Sequence, residues 1–203
     1  MLRLPFIVLL PALPLPLLLL LLMPLRGANS ATYGVTFDER IFQSCSRNED
    51  KGNVPISDLV DTSEVTIVLE NDYETFHFSG DIIIKKQLPN VPIKVHVEIY
   101  HLDRGEWVPT VAALKRDDFC KSLKDRIEPW HLYYISQIPK DQRTCPPHIG
   151  QVYKLRNVTN RMTVKHMPYW NVDGDLKAVM HFSAGDIKIC AVMYFTVTLI
   201  SKI

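Results

Sequence analysis

The chain has 203 residues, with 23 Lys and Arg against 22 Asp and Glu, and a formal net charge of +1. That balance, with only isolated basic pairs such as Lys85-Lys86 and Lys115-Arg116, argues against nucleic acid as the partner. The length suits one domain with a hydrophobic core of its own, and no internal repeat or low-complexity tract follows the first thirty residues.

The amino end speaks to the compartment. Arg3 precedes an uncharged, leucine-rich run from Leu4 to Leu25, followed by Arg26 and an Ala28-Asn29-Ser30 end. A basic start, an apolar centre and a small-residue end make a secretory signal peptide. The run is also long enough to span a bilayer, so a membrane anchor is the competing reading. Pro5, Pro11, Pro14, Pro16 and Pro24 disfavour a stable spanning helix. The expected division is therefore 1–30 as signal peptide and 31–203 as one secreted domain. Removal of Arg3 and Arg26 takes the net charge from +1 to −1.

The next stretch alternates as strands do. Val65, Ile67 and Leu69 share one side of a strand, Phe76 and Phe78 flank His77, and Ile82 and Ile84 follow Gly80-Asp81. Ile93, Val95, Val97 and Ile99 alternate with Lys94, His96, Glu98 and Tyr100, which predicts a strand with one dry face and one wet face. Asp103-Arg104-Gly105 turns the chain toward Trp107-Val108. Phe119, Leu123 and Ile127 then recur every four residues, with Asp117 and Asp118 ahead of them and Pro129 behind. This predicts one short amphipathic helix in an otherwise β-rich chain.

Two aromatic clusters stand apart from the strand pattern. The first, Trp130, His131, Leu132, Tyr133, Tyr134 and Ile135, lies between Cys120 and Cys145. The second is Met167-Pro168-Tyr169-Trp170. Rings with a polar edge suit a pocket rim or an apolar interface, and Met167 adds an adaptable contact. For Trp130 and Trp170, closing the core and lining a rim weigh equally. Tyr133 and Tyr134 are assigned to the rim, because neighbours on opposite faces of an extended segment cannot both point inward.

From Asp173 to Ile203 two alternating runs flank Ser-Ala-Gly-Asp, a β-hairpin pattern. Leu176, Ala178, Met180 and Phe182 fall on one face of the first strand. Ile187, Ile189, Ala191, Met193, Phe195, Val197 and Leu199 fall on one face of the second. A strand this long and this apolar must lie against a large interior.

The chain has four cysteines, Cys45, Cys120, Cys145 and Cys190. In a secreted chain two disulfides are the default, with three possible pairings. No C-x-x-C pair is present and no metal or other cofactor is expected. Asn157-Val158-Thr159 is the one N-glycosylation sequon.

Taken in order, FDERIFQSC, FSGDIIIKKQLPNVPIKVHVEIYHLDRGEWVP, DDFCKSL, TCP and DGDLKAVMHFSAGDIKICAVMYFTVTLI resemble the ML (lipid-recognition) superfamily. The resemblance is to its ganglioside-activator-like branch, and within that branch to the insect CheB chemosensory proteins. It covers nearly all of residues 31–203. It implies an all-β fold, a two-sheet immunoglobulin-like β-sandwich whose sheets splay into an apolar cup. It also implies the pairs Cys45–Cys190 and Cys120–Cys145. The ganglioside activators carry further cysteines that this chain lacks, so the resemblance does not by itself imply their braced mouth loop or their glycolipid specificity.

Catalysis has few candidates. His77, His96, His101, Asp103, His131, His148, His166 and His181 form no nucleophile or zinc motif. His96 alternates with valines and is expected to face water. The chain therefore reads as a non-enzyme: a secreted carrier for a hydrophobic small molecule or lipid, in contact chemosensation and pheromone response if the resemblance holds. The expected contacts are Trp130, Tyr133, Tyr134, Ile135, Met167, Tyr169 and Trp170 at the mouth, and Ala191, Met193 and Phe195 on the cup wall. A chemosensory receptor or a membrane surface would be the further partner. The alternative is an extracellular or membrane-anchored accessory module without a bound lipid.

Overall fold

Alternating side chains organise the chain into two sheets that share a core. The computed structural model describes residues 30–38, 43–46, 49, 52–72, 74–168 and 173–202, the side chains of 166–168 excepted. Residues 1–29, the Met167 side chain, Tyr169 and Trp170 lie outside the described residues. The strands are β1 (Ser30–Phe37), β2 (Gln43–Ser44), β3 (Val54–Pro55), β4 (Val60–Asp61), β5 (Thr66–Leu69), β6 (Phe76–Ile84), β7 (Lys94–Asp103), β8 (Glu106–Arg116), β9 (Val152–Asn160), β10 (Met162–Pro168), β11 (Gly174–Ala184) and β12 (Ile187–Lys202).

The large sheet runs β10-β1-β12-β11-β7-β8, with β2 and β3 also paired to β12. In the small sheet β6 pairs with β9, β5 and β4. The predicted hairpin is present: β11 and β12 meet across Gly185-Asp186, with Gly185 at φ +57°. Its register sets the inner face in rows. Val95, Phe182 and Ile189 lie side by side, then Val97, Met180 and Ala191, then Ile99, Ala178 and Met193. The outer face carries His96, His181 and Cys190, then Glu98, Val179 and Val192, then Tyr100, Lys177 and Tyr194.

The chain is thus an all-β sandwich. Tyr33, Val35, Phe37, Leu176 and Val197 of the large sheet pack with Phe76, Phe78, Leu155 and Val158 of the small one. Aromatic contacts step across this core from Phe195 to Phe37, Phe76 and Phe78, with ring centroids 6.0, 6.2 and 6.3 Å apart. Such tilted pairs add to the stabilisation from burial alone.

Two disulfides close the fold, Cys45–Cys190 and Cys120–Cys145, with Cα separations of 5.7 and 5.4 Å. Cys190 lies on the outer face, with Val179 and Val192, so its bridge holds the segment around Cys45 over the back of the large sheet. Lys177 reinforces that cover. Its Nζ donates to Glu49 Oε1 at 2.6 Å and sits 5.1 Å from the ring centroids of both Tyr100 and Trp107. This pairing accounts for a buried lysine on a sheet face.

The predicted helix is shorter than its sequence pattern. Helix α1 (Phe119–Ser122) is one turn, capped by Asp118, whose carboxylate accepts from Lys121 N–H at 2.9 Å. Ile127 lies beyond it and is 81 % exposed, so the four-residue spacing does not mark one continuous face. Pro129 does not merely stop a helix. It opens a second one, α2 (Pro129–Tyr133), at the first-turn position where a missing N–H costs nothing.

Two outcomes follow from this architecture. Gly80 lies within β6 at φ +123°, and a Cβ there would come within 2.1 Å of the Glu64 carbonyl oxygen. Gly80→Ala should cost about 2–4 kcal/mol, from backbone strain plus a clash with rigid main chain. Urea unfolding measures this, and an unchanged midpoint would contradict the close approach.

The second outcome concerns acid. Asp72 is held down to about 2 by the Thr75 hydroxyl and by the amides of Glu74 and Thr75. Burial pushes the Glu49 carboxyl up, but hydrogen bonds from Lys177 and Ser46 and the Lys177 charge outweigh it and leave it below its ordinary 4.5. Both carboxyls bind protons less readily in the folded state. Their stabilisation is complete above the ordinary carboxylate range and is lost as pH falls from about 4.5 toward about 2. Urea midpoints should therefore decline through that window and stay level, as far as these groups go, from pH 5 upward, on the order of their unfolded values.

Candidate functional site

The small sheet does not cover the whole inner face of the large one. Over Val95, Val97, Ala178, Met180 and Ala191 the cover comes from Phe119 and Trp130, on α1 and α2, with Ile56 and Leu114 at the sides. Phe119 stands edge-on to Trp130 at 5.4 Å and to Phe182 at 5.5 Å. The segment bridged by Cys120 and Cys145 thus lies on the inner face, as a cover.

Helix α2 decides which ring goes where. Trp130 and Tyr134 are four residues apart, and Tyr134 N–H donates to the Trp130 carbonyl at 3.3 Å, so both fall on one face. That face turns inward. Trp130 reaches the cluster of Val97 and Ala191, and Tyr134 packs edge-on against Phe78 at 6.1 Å. Ile135 and Ile138 join the same core as Tyr134. Tyr133 lies to the side, its hydroxyl donating to the Thr163 carbonyl at 3.3 Å. The assignment of Tyr133 and Tyr134 to opposite faces of an extended strand does not hold, because the backbone there is helical.

The cover is tied down along its length. Arg116 Nε donates to Glu128 Oε1 at 2.8 Å. The Gln137 side chain imitates a neighbouring strand: its amide donates to the Thr159 carbonyl at 2.7 Å and its oxygen accepts from Thr159 N–H at 2.9 Å. Tyr153 hydroxyl donates to the Thr144 carbonyl at 2.8 Å. Lys154 N–H donates to Gln142 Oε1 at 2.7 Å.

Beneath this cover three apolar residues belong to both clusters: Ile99, Met193 and Phe195. All three stay partly exposed, although Met193 and Phe195 share the register face of the fully buried Ala191. They form a seam between the two halves of the interior, with Trp130 on one side and Tyr134 on the other. Of the expected contacts, Trp130, Tyr134, Ile135, Ala191, Met193 and Phe195 therefore converge here, and Tyr133 flanks them. Met167 contributes only its β10 backbone to the description, and Tyr169 and Trp170 lie outside the described residues.

Several polar atoms in this region have no hydrogen-bond partner: Trp130 Nε1, Glu128 Oε2, and both amide atoms of Asn160. Burial also pushes the Tyr134 phenol well above its ordinary value, partly offset by Asn160. The sequence pattern puts Ile99, Phe119 and Phe182 on apolar faces but does not single out Asn160. Asn160 was visible as a polar residue two positions after the buried Val158, at a place in the alternation where an apolar residue belongs.

Among the clefts formed by the described residues are two open ones. One, of about 390 Å³, is on the outer face between His96, His181, Glu98, Glu49 and Lys188. The other, of about 350 Å³, is lined by Ser44, Ile56, Val60 and Lys85. His96 is exposed, as its alternation predicts. Among the described residues no group of three His, Cys, Asp or Glu side chains is placed to hold a metal ion, and no helix is long and apolar enough to cross a membrane. Asn157 is exposed on β9.

No protein-family model matches this chain, and no curated protein matches it.

The packing of Trp130 yields a direct check. Trp130→Phe keeps a ring against Phe119 and removes an N–H that has no acceptor, so stability should change by less than about 1 kcal/mol. Trp130→Ala strips the cover from Val97 and Ala191 and should cost about 2–4 kcal/mol. Thermal or urea unfolding distinguishes the two, and equal small losses would mean that Trp130 is not part of the interior.

Proposed function

We propose that the protein is a secreted binding protein that carries a hydrophobic small molecule or lipid between the large sheet and the segment covering it. The observation that carries this reading is the seam of Ile99, Met193 and Phe195. These are inner-face residues at the junction of two clusters, incompletely buried, beneath two inward-turned rings. A long-chain ligand in such a seam gains about 0.8 kcal/mol for each methylene taken out of water. Ordering costs reduce that sum, and shape then selects among ligands.

The resemblance to the ML superfamily and to the insect CheB chemosensory proteins supports the same reading, together with the two-sheet sandwich and the disulfide pairs Cys45–Cys190 and Cys120–Cys145. Two disulfides are compatible with an extracellular protein. On this reading the leader is a signal peptide, Asn157 carries a glycan, the protein works without catalysis, and the biological setting is detection of hydrophobic cues or pheromones by contact.

One observation favours the second reading, an accessory module that meets a receptor or a membrane. Ile127 and Leu132, on the outside of the cover, are 81 % and 53 % exposed. Apolar side chains there suit an encounter surface.

Met193→Trp separates ligand seam from filled core. If the seam takes a ligand, the added ring should leave the empty protein within about 1 kcal/mol of its stability and weaken a long-chain fluorescent fatty probe about tenfold or more. If the region is packed out, the ring should overpack it and cost about 1–3 kcal/mol, with probe binding unchanged. The second pattern would leave the carrier reading without its physical basis.

A further inference from the structure

We propose that Asn160 and Tyr134 form a polar anchor inside the apolar interior, and that the ligand is an amphiphile whose oxygen-bearing head group this anchor takes by hydrogen bonds. This rests on the hydrophobic-ligand reading above and sharpens it from any apolar molecule to an oxygenated one: a long-chain alcohol, ester, ketone or protonated acid.

Asn160 ends β9 and is 2 % exposed. It follows Val158 on the inward side of the strand, and its register partner across β6 is Phe76, itself almost wholly buried. An asparagine amide has an acceptor oxygen and two N–H donors. Neither end has a hydrogen-bond partner here. Buried amides are ordinarily satisfied, because an apolar residue in the same place would avoid the loss of water. A buried amide whose two ends find no protein partner of full geometry, on an otherwise apolar face, has hydrogen-bonding capacity to offer.

A second group stands beside it. The Tyr134 hydroxyl lies close enough to the Asn160 side chain for Asn160 to offset part of the burial that raises its phenol, although neither amide atom has a partner of full hydrogen-bond geometry. Burial keeps its phenol neutral, so it can donate one hydrogen bond and accept another. The edge-on contact with Phe78 and the helical position four residues after Trp130 fix where this hydroxyl points. Together the pair provides an acceptor, N–H donors and a hydroxyl at the wall of the interior that the seam adjoins.

The chemistry of the anchor defines its complement. A hydroxyl or carbonyl head can satisfy Asn160 and Tyr134 at once while its chain lies along Phe195, Met193 and Ile99. A plain alkane fills the same seam and adds no hydrogen bond to Asn160. The buried lysine, Lys177, belongs to the outer face and is committed to Glu49, so it offers no charge to an ionised head on this side. Neutral partners on the protein favour a neutral head on the ligand.

Binding of hexadecan-1-ol and of hexadecane to the disulfide-bonded protein tests this, with occupancy read by native mass spectrometry. The wild type should prefer the alcohol by about tenfold or more. Asn160→Leu, which replaces the amide by an apolar group of similar shape, should abolish most of that preference, weakening the alcohol while leaving the alkane as tight or tighter. Tyr134→Phe keeps the ring on Phe78 and removes one oxygen, so it should act in the same direction and decides the matter if Asn160→Leu does not fold. If both ligands bind the wild type equally, or the preference survives in Asn160→Leu and Tyr134→Phe, the anchor is refuted while the hydrophobic-ligand reading stands. If neither ligand binds, both readings fall.

Discussion

Burial runs unbroken along β11 from Leu176 to Met180, and the rest of the fold answers to that. A strand of an antiparallel sheet with one solvated face would alternate between buried and exposed positions. Here the inward residues Leu176, Ala178 and Met180 and the outward residues Lys177 and Val179 are all dry. The large sheet must therefore be covered on both faces. Three different pieces do this: the small sheet, the helical segment between β8 and β9, and the chain around Cys45 and Glu49.

The outer cover shows why fastening is needed. The chain around Cys45 and Glu49 contributes only short pairings to β12 through β2 and β3. Such short strands carry little stability by themselves. The Cys45–Cys190 bridge closes a long loop, which in the loop-entropy view constrains the unfolded chain strongly. The Glu49–Lys177 pair supplies the complement to a cation that would otherwise be stranded between Tyr100 and Trp107. Removing either partner of such a pair costs more than never having had it.

Strand alternation made most of this legible in the sequence, because its period of two is preserved wherever one face is apolar. The rows of β7, β11 and β12 follow directly from Val95, Val97 and Ile99 and from the hairpin pattern around Gly185. The segment after Phe119 was less legible, for a physical reason. Proline ends one helix and begins another with equal ease, since it lacks the N–H in both cases, so Pro129 could not by itself say which. Once it is the first residue of α2, the spacing of Trp130 and Tyr134 places both rings inside. Lys177 was hidden for a similar reason: its alternation said outward, and only the chain around Glu49, more than a hundred residues away in sequence, makes outward mean buried. Asn160 was obscured by its setting, one step beyond a glycosylation sequon whose own residue, Asn157, faces water.

The helical cover is seated on the smallest residues of the inner rows: Phe119 and Trp130 pack with the cluster of Ala178 and Ala191. It is held there by Gln137 on Thr159, by Arg116 on Glu128, by Tyr153 on the Thr144 carbonyl and by the Cys120–Cys145 bridge. On the other side the tilted aromatic steps from Phe195 to Phe78 fill the space between the sheets. Rigid walls over small residues are what a preorganised apolar site requires, since a ligand then meets a shape already formed and loses less of its burial energy to rearrangement. On the proposed carrier reading, burial energy grows with chain length whatever the head group, so finer discrimination falls to polar atoms such as those of Asn160.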